Sequence, residues 1–420
     1  MAKRMTFSSF SLDTSLLQAI TESAYNEPTE IQKQSIPLIL AEHDVMARAQ
    51  TGTGKTAAFA LPILQKLILA QPCKRELYAL VLTPTRELAQ QVYKSFCHYG
   101  QHTTINMGIA YGGVSTKKQI SEIKAGVDVL IATPGRLLDL LRTESVSLDN
   151  IKTLVFDEAD RMLDMGFKEE IDQIFEYLPK VKQTLLFSAT FADDIYRMSK
   201  KILLDPKIIE IDDKNKAADD VEQLVYGVDN DRKRELTSFL IGSRNWKQVL
   251  VFTRTKQCAD ELAKEMTKDG VKSLAIHGDK SQGAREKALN EFKEGKVRAL
   301  IATDVAARGI DIKGLSHVIN YELPYNAEDY VHRIGRTARA GNSGLAVSLV
   351  GVGEEWLLKA IEELLEITLL QQWLPGYEPD PTKTSGSNRK PTNKKNARKN
   401  ALTTDEKSRK GRPTSRNRRR

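Results

Sequence analysis

At 420 residues the chain exceeds what one ordinary hydrophobic core supports, so two domains of about 150 to 200 residues each are expected. The net charge of +8 is unevenly placed: Asp380 to Arg420 carries 15 Lys and Arg against 3 Asp and Glu, and the other 379 residues carry 48 basic and 52 acidic side chains. Three scattered cysteines (Cys73, Cys97, Cys258), the lack of a C-x-x-C pair and the lack of a bilayer-length apolar run argue against a disulfide scaffold, a zinc site and a membrane protein; a reducing, cytoplasmic compartment is expected.

In chain order, Met1 to Phe7 leads into no apolar leader segment. A β-type run, Asp44 to Arg48, precedes Ala49-Gln50-Thr51-Gly52-Thr53-Gly54-Lys55-Thr56, and a helix-forming run, Ala57 to Leu61, follows. A glycine-containing loop between strand and helix turns backbone N–H groups inward and adds the helix N-terminal charge, which makes a cradle for phosphate. Lys55 would reach the β- and γ-phosphates and the Thr56 hydroxyl would ligate Mg²⁺. The general pattern begins with glycine where this chain has Ala49, so taken alone the stretch also reads as a chance Gly/Thr-rich turn.

Short apolar runs then alternate with helical patterns: Tyr78–Leu82, Val127–Ile131, Thr153–Phe156 and Thr184–Phe187. The rhythm restarts at Gln248–Phe252 and continues through Ser273–Ile276, Arg298–Ile301, Val318–Tyr321 and Ala346–Leu349. Near-continuous apolar strands separated by helices predict two α/β domains, each a parallel sheet covered by helices on both faces. Their expected limits are 1–211 and 221–370, with the polar stretch 212–220 as linker and 371–420 as a disordered basic tail. Pro375, Pro379 and Pro381 are read as ending regular structure, after a last helix around Glu354 to Ile367.

Ligands of such sheets sit beyond the carboxyl ends of the strands. Five of these runs end in polar clusters there: Thr83 to Arg86, Thr133 to Arg136, Asp157 to Asp160, Ser188 to Thr190, and Thr303-Asp304. Asp157 at such an end suits Mg²⁺ beside a phosphate loop, and the adjacent Glu158 suits a general base orienting water. The bland alternative is a solvated acidic helix start.

Asp157-Glu158-Ala159-Asp160 spells DEAD, and the chain resembles the DEAD-box RNA helicases over about residues 5 to 368. AQTGTGKT at 49–56 is that family's variant of the phosphate loop, which accounts for Ala49. Residues 24–32 (AYNEPTEIQ) resemble its Q motif, with Ala24 and Glu30 departing from the usual residues; Pro84 to Ala89, Gly112-Gly113, Thr133 to Arg136 and Ser188 to Thr190 match further motifs of the first domain. Val251 to Thr255, Gln282 with Arg285, Ala302 to Asp311, and His332 to Arg339 (with Ala338 for a more frequent glycine) match those of the second. Pro375 to Pro379 before a basic tail looks like the bacterial RhlE-type subgroup.

The resemblance implies tandem RecA-like domains, an RNA-stimulated ATPase using ATP and Mg²⁺, and local unwinding of short duplexes. It implies an ATP site of Phe7 (stacking on the base), Thr29, Gln32, Gln50, Thr51, Gly52, Thr53, Gly54, Lys55, Thr56, Gly309 and Asp311, with Thr56 and Asp157 on the metal. Catalytic roles fall to Lys55, Asp157, Glu158 and the cross-cleft arginines Arg336 and Arg339, since an arginine finger contributes on the order of 10³ to 10⁵ in rate. Coupling falls to Ser188, Thr190, Asp304 (fastening the closed interface) and His332. RNA contacts fall to Thr85, Arg86, Gly113, Thr133, Gly135, Arg136, Gln282, Arg285 and Thr303, whose chemistry suits phosphate and 2′-hydroxyl groups rather than base edges. Single strands and short duplexes of RNA are the expected partners, with ribosome-assembly or RNA-decay proteins as further candidates. An ATP-gated RNA clamp, a DNA translocase of the same build and an ATP-independent chaperone acting through the tail are the alternatives.

Overall fold

The apolar runs become the central strands of two sheets. The computed structural model describes residues 5–23, 25–49, 52–71, 76–211, 221–307, 315–337 and 344–382. Strands β1 (Val45–Arg48), β2 (Ala79–Leu82), β3 (Met107–Ala110), β4 (Val129–Ala132), β5 (Thr153–Asp157), β6 (Gln183–Ser188) and β7 (Lys207–Glu210) form one sheet in the order β3-β4-β2-β5-β6-β1-β7. Strands β8 (Val221–Gly227), β9 (Val249–Thr253), β10 (Ser273–Ile276), β11 (Ala299–Thr303), β12 (His317–Asn320), β13 (Gly344–Val350) and β14 (Gln371–Gln372) form the other, ordered β10-β11-β9-β12-β13-β8-β14. Every pairing is parallel. The second order repeats the first strand for strand, which is the duplicated architecture of tandem RecA-like domains.

Burial explains why these segments were legible as strands. β2, β4, β5 and β6 are buried at every position, so alternate residues enter opposite cores. Val81, Ile131, Val155, Leu185 and Phe187 pack to one side of the first sheet. Leu80, Leu82, Leu130, Leu154, Phe156 and Leu186 pack to the other. Four strands went unread, all at or next to a sheet edge: β3 and β7 are only partly buried, β8 opens with the polar pair Glu222-Gln223 after Val221, and β14 is two exposed glutamines.

One expectation needs correction. The tail was expected to begin at residue 371, but ordered structure continues to 382: β14 adds to the free edge of β8, and the chain then straps across the second domain. Leu374 and Tyr377 pack on the core. The Arg232 guanidinium sits 4.7 Å over the Tyr377 ring and its Nη1 donates to Gly376 O at 2.7 Å. The Asp380 N–H donates to Asp229. Prolines at 375, 379 and 381 do end regular secondary structure, yet aromatic burial between them holds the chain in place. Residues 383–420, most of the predicted tail, lie outside the described residues, as does the predicted linker 212–220.

The domains meet through the helices Arg86–Tyr99 and Gln282–Lys293. Arg285 Nη2 lies 2.8 Å from Glu87 Oε2, with both side chains 8% exposed. Gln90 Nε2 donates to Glu286 Oε1 at 3.1 Å beside it.

Chains ending at Leu370 should therefore unfold with a stability deficit on the order of 2 kcal/mol, through loss of packed side chains and strand pairing. Chains ending at Thr382 should melt like the full-length protein; paired thermal denaturation curves check both.

Candidate active site

The phosphate loop joins the carboxyl end of β1 to the helix Lys55–Ala70. Gly52 and Gly54 have φ of 94° and 91°, in the left-handed region where a side chain is strained. A Cβ on Gly54 would also lie 2.4 Å from Gln32 Nε2, so this turn needs glycine twice over. Lys55 is 6% exposed, and its Nζ donates to Ala49 O at 2.9 Å across the loop. Gln50 and Thr51 lie outside the described residues; Thr53 and Thr56 stand at the loop's end and on the helix's first turn.

The adenine-side residues brace this loop. Thr29 N-caps the helix Glu30–Leu40 in a capping box with Gln32, whose Oε1 accepts from Thr29 N–H at 2.9 Å. Gln32 Nε2 donates to Gly54 O at 3.1 Å, so one side chain ties the helix start to the phosphate loop. Phe7, expected to stack on the base, is buried in the core, edge-on to Phe10 and stacked on Tyr25 at 6.5 Å. Tyr25 is the more exposed ring of that pair.

At the carboxyl end of β5, the Asp157 side chain is buried, and its Oδ1 has no hydrogen-bond partner among the described residues. Burial pushes its carboxyl up to about 7; Glu158 and Asp160 push the same way and Lys55 opposes. A buried, unpaired carboxylate oxygen facing a phosphate loop is the environment that a hard cation relieves. Glu158 follows with φ of 57°, and its side chain is also buried. Asp160 Oδ2 accepts from the backbone N–H groups of Ala189 and Thr190 at 3.0 and 3.1 Å. The carboxylate row is thereby fastened to the end of β6, where Ser188 is fully buried.

The second domain faces this row. His332 on the helix Ala327–Ile334 lines a cavity of about 120 Å³ with Asp160, Arg161, Thr190, Asn326 and Glu328, so the cavity draws walls from both domains. Burial raises the Glu328 carboxyl, and Asp160 and Asp164 from across the cleft add to the rise. Arg336 is buried one turn after His332, with its Nε donating to His332 O at 3.3 Å. Arg339, Gly309 and Asp311 lie outside the described residues.

Three assignments change. Asp304 was expected at the interface; instead both its oxygens accept from Arg333, at 2.6 and 2.7 Å, inside the second domain. Arg333 is 1% exposed and also donates to Asn320 and Glu322 O, so Asp304 neutralises a buried guanidinium that orients the His332 helix. Arg136 was expected on RNA, but it is buried, donating to Gln119 Oε1 and Val114 O, and so holds up the loop that carries Gly113. Arg285 was expected on RNA and is instead the partner of Glu87 across the cleft.

The remaining RNA candidates gather on the first domain's strand ends and on two elements of the second. Thr85 N-caps its helix with Oγ1 accepting from Leu88 N–H at 3.2 Å. Arg86 lies against Gly113, where a Cβ would fall within 2.0 Å of its guanidinium. Thr133 caps the helix Pro134–Arg142, and a Cβ on Gly135 would meet nothing within 4 Å, which leaves that helix start open to a ligand backbone. Gln282 is buried with Nε2 donating to Glu286 Oε1, and Thr303 is buried at the end of β11. Sequence reasoning missed Glu87 and Gln90: an acidic and an amide residue on a motif helix carry no signal until the opposing Arg285 and Glu286 are in view.

Comparison with known proteins matches a family model described as DEAD/DEAH box helicase to residues 29–198, and one described as helicase conserved C-terminal domain to residues 231–341. The DEAD-box ATP-dependent RNA helicase RhpA of Helicobacter pylori is 46% identical over 82% of this chain and 69% of its own. The ATP-dependent RNA helicase RhlB of Pseudomonas aeruginosa is 44% identical over 86% of this chain and 92% of its own. Among solved structures, S. cerevisiae Dbp5 bound to RNA and ADP BeF3 superposes with TM-score 0.79 at 33% identity, covering 88% of this chain and 95% of that one. A DEAD box protein from Methanococcus jannaschii, covering 88% of this chain and 99% of that one at 38% identity, reaches only 0.51.

Removing the latch should cost closure rather than chemistry. R285A should raise the RNA concentration for half-maximal ATPase by about 10- to 100-fold, the effect of stranding one buried charge. The double exchange E87R/R285E should recover most of it. A direct RNA contact at Arg285 would not be rescued by that exchange.

Proposed function

The chain belongs to the DEAD-box ATP-dependent RNA helicases, and we propose that RNA draws its two domains together so that ATP held on the first is hydrolysed with help from the second. It is an ATP-dependent RNA helicase whose partner is RNA. The observation that carries the mechanism is the cavity at the cleft, where Asp160 and Thr190 of one domain meet Glu328 and His332 of the other.

In this reading Gln32 and Thr29 read the adenine edge, with Phe7 and Tyr25 beside the base. Gln50 to Gly54 enclose the phosphates, Lys55 reaches the β- and γ-oxygens, and Gly309 and Asp311 meet the ribose and phosphates from the second domain. Thr56 and Asp157 would hold Mg²⁺, which when bound would supply charge neutralisation at the phosphate oxygens. Glu158 orients a water whose oxygen attacks the γ-phosphorus as the bond to ADP breaks, and its carboxylate takes the water's proton. Arg336 and Arg339 stabilise the transferring group only when the cleft is closed, which ties hydrolysis to RNA binding. Asp160, Ser188, Thr190 and His332 carry closure between the two ligands, with Asp304 setting the His332 helix through Arg333.

RNA lies along Thr85, Arg86, Gly113, Thr133 and Gly135, then Gln282 and Thr303, through backbone contacts that give position without sequence preference. Closure on a bent strand separates a short duplex locally. A cytoplasmic setting is our reading of the scattered cysteines, which suit a reducing compartment. No helix among the described residues is long and apolar enough to cross a membrane. The relatives above carry other subgroup names, and the RhlE-type reading stays with the resemblance of Pro375 to Pro379.

ATP hydrolysis and short-duplex unwinding, with RNA and DNA side by side, test this directly. E158Q should lose at least about 100-fold in RNA-stimulated kcat while still binding ATP and RNA. Unwinding without nucleotide, or stimulation by DNA alone, would overturn the mechanism.

The strongly basic stretch after Thr382 we assign to tethering RNA through counterion release. Truncation there should leave maximal ATPase intact, weaken RNA affinity and flatten its dependence on salt, measured as the slope of log affinity against log salt. An unchanged slope would reduce the stretch to a solubilising charge run.

A further inference from the structure

We infer that Arg161 is a positioning residue for the Glu158 carboxylate, fixing the orientation from which it meets the attacking water. This rests on the reading of Glu158 as general base given above. Arg161 Nε lies 3.4 Å from Glu158 Oε2, and the two side chains are only 2% and 3% exposed. None of the three guanidinium nitrogens has a hydrogen-bond partner among the described residues, so the carboxylate of Glu158 is the group that answers this buried charge.

The neighbouring carboxylate is otherwise engaged. Asp160 Oδ2 accepts from Ala189 and Thr190, and its Oδ1 accepts from the backbone N–H of Arg161 itself. Asp160 therefore anchors the main chain at 161 and the loop at 189–190, while the Arg161 side chain reaches one turn back to Glu158. Glu158 sits at φ 57° and ψ 55°, a left-handed conformation unfavourable for a glutamate, and begins a helix of six residues. A long side chain at the start of so short a helix has several rotamers, and the buried Arg161 cation favours those that bring the carboxylate to it.

A purely structural role is poorly served by this arrangement. A buried guanidinium without hydrogen bonds carries a desolvation penalty that an apolar side chain of similar volume avoids. Arg161 also lines the cleft cavity beside Asp164, Glu328 and His332, so closure of the domains keeps water from the pair. What its charge provides, and a methionine would not, is a fixed electrostatic partner for Glu158 at the moment of attack.

The experiment compares R161M, R161K, E158Q and E158Q/R161M in the full-length chain. R161M should lower RNA-stimulated kcat by about 10- to 100-fold, the scale of a misplaced catalytic group, with KM for ATP within about threefold of wild type. R161K should recover most of the rate, and E158Q/R161M should be no slower than E158Q. Retention of RNA with ADP–beryllium fluoride should be unchanged in R161M, whereas retention with ADP–aluminium fluoride, which needs the water in line, should fall at least about tenfold. An R161M enzyme at wild-type rate, equal loss of both analogue complexes, absence of recovery in R161K, or a double variant slower than E158Q by the full R161M factor would each overturn the inference. An E158Q enzyme at wild-type rate would remove the general-base reading and this inference with it, a result distinct from a normal R161M beside an inactive E158Q.

Discussion

The structure turns on negative charge kept away from water at the end of β5. Asp157 and Glu158 are each about 2% exposed, and the carboxyl of Asp157 is raised to about 7 because burial and its acidic neighbours outweigh Lys55. Carboxylates in such surroundings are expensive unless cations face them. The first domain offers Lys55 and Arg161 as facing cations; in the proposed mechanism a metal and the arginines of the second domain would complete the balance. On the proposed mechanism, incomplete charge compensation in one domain would favour closing the cleft and would leave that domain inefficient by itself.

Closure meets resistance as well as reward. Glu328 enters the cleft opposite Asp160 and Asp164, and its raised carboxyl records that like charges are brought together there. Against this stand the Glu87–Arg285 pair and the Gln90–Glu286 bond, both between the same two helices. The contacts are few and polar, as suits an interface that must open in every cycle: a large apolar interface would hold the closed state regardless of ligand. The closed arrangement is therefore poised, and ligands that bind only to it can shift the balance by their differential affinity.

Most of the architecture was legible because buried parallel strands are apolar at every position. What escaped was structure whose stabilisation does not show as a local pattern. β3 and β7 are edge strands with mixed burial, and β14 joins the sheet because Tyr377 and Leu374 pack beyond it, past prolines that signal an end to regular structure. At the site, residue types located the phosphate loop and the carboxylate row, since those chemistries demand particular side chains at particular strand ends. Residue type could not separate an arginine that touches a ligand from one that holds up the groups that do. Arg136, Arg285 and Arg333 are chemically suited to phosphate, yet each is enclosed by protein acceptors. Only the partner, distant in sequence, distinguishes the two uses.

That distinction also explains how the two ends of the site communicate. Asp160 receives the N–H groups that follow β6, and Gln32 links the helix start at Thr29 to Gly54, so the base side, the phosphate side and the strand ends of the first domain are one hydrogen-bonded unit. In the second domain Asp304, at the end of β11, fixes Arg333 and with it the helix carrying His332. Thr303, at the same strand end, is assigned to RNA in the proposed mechanism. A displacement of that strand end by RNA would be passed through one bidentate ion pair to the residues facing ATP, with no loop in between to absorb it. Hydrogen bonds thus tie each half-site together within its own domain, and in the proposed mechanism the motion coupling RNA to nucleotide would fall on the contacts between them.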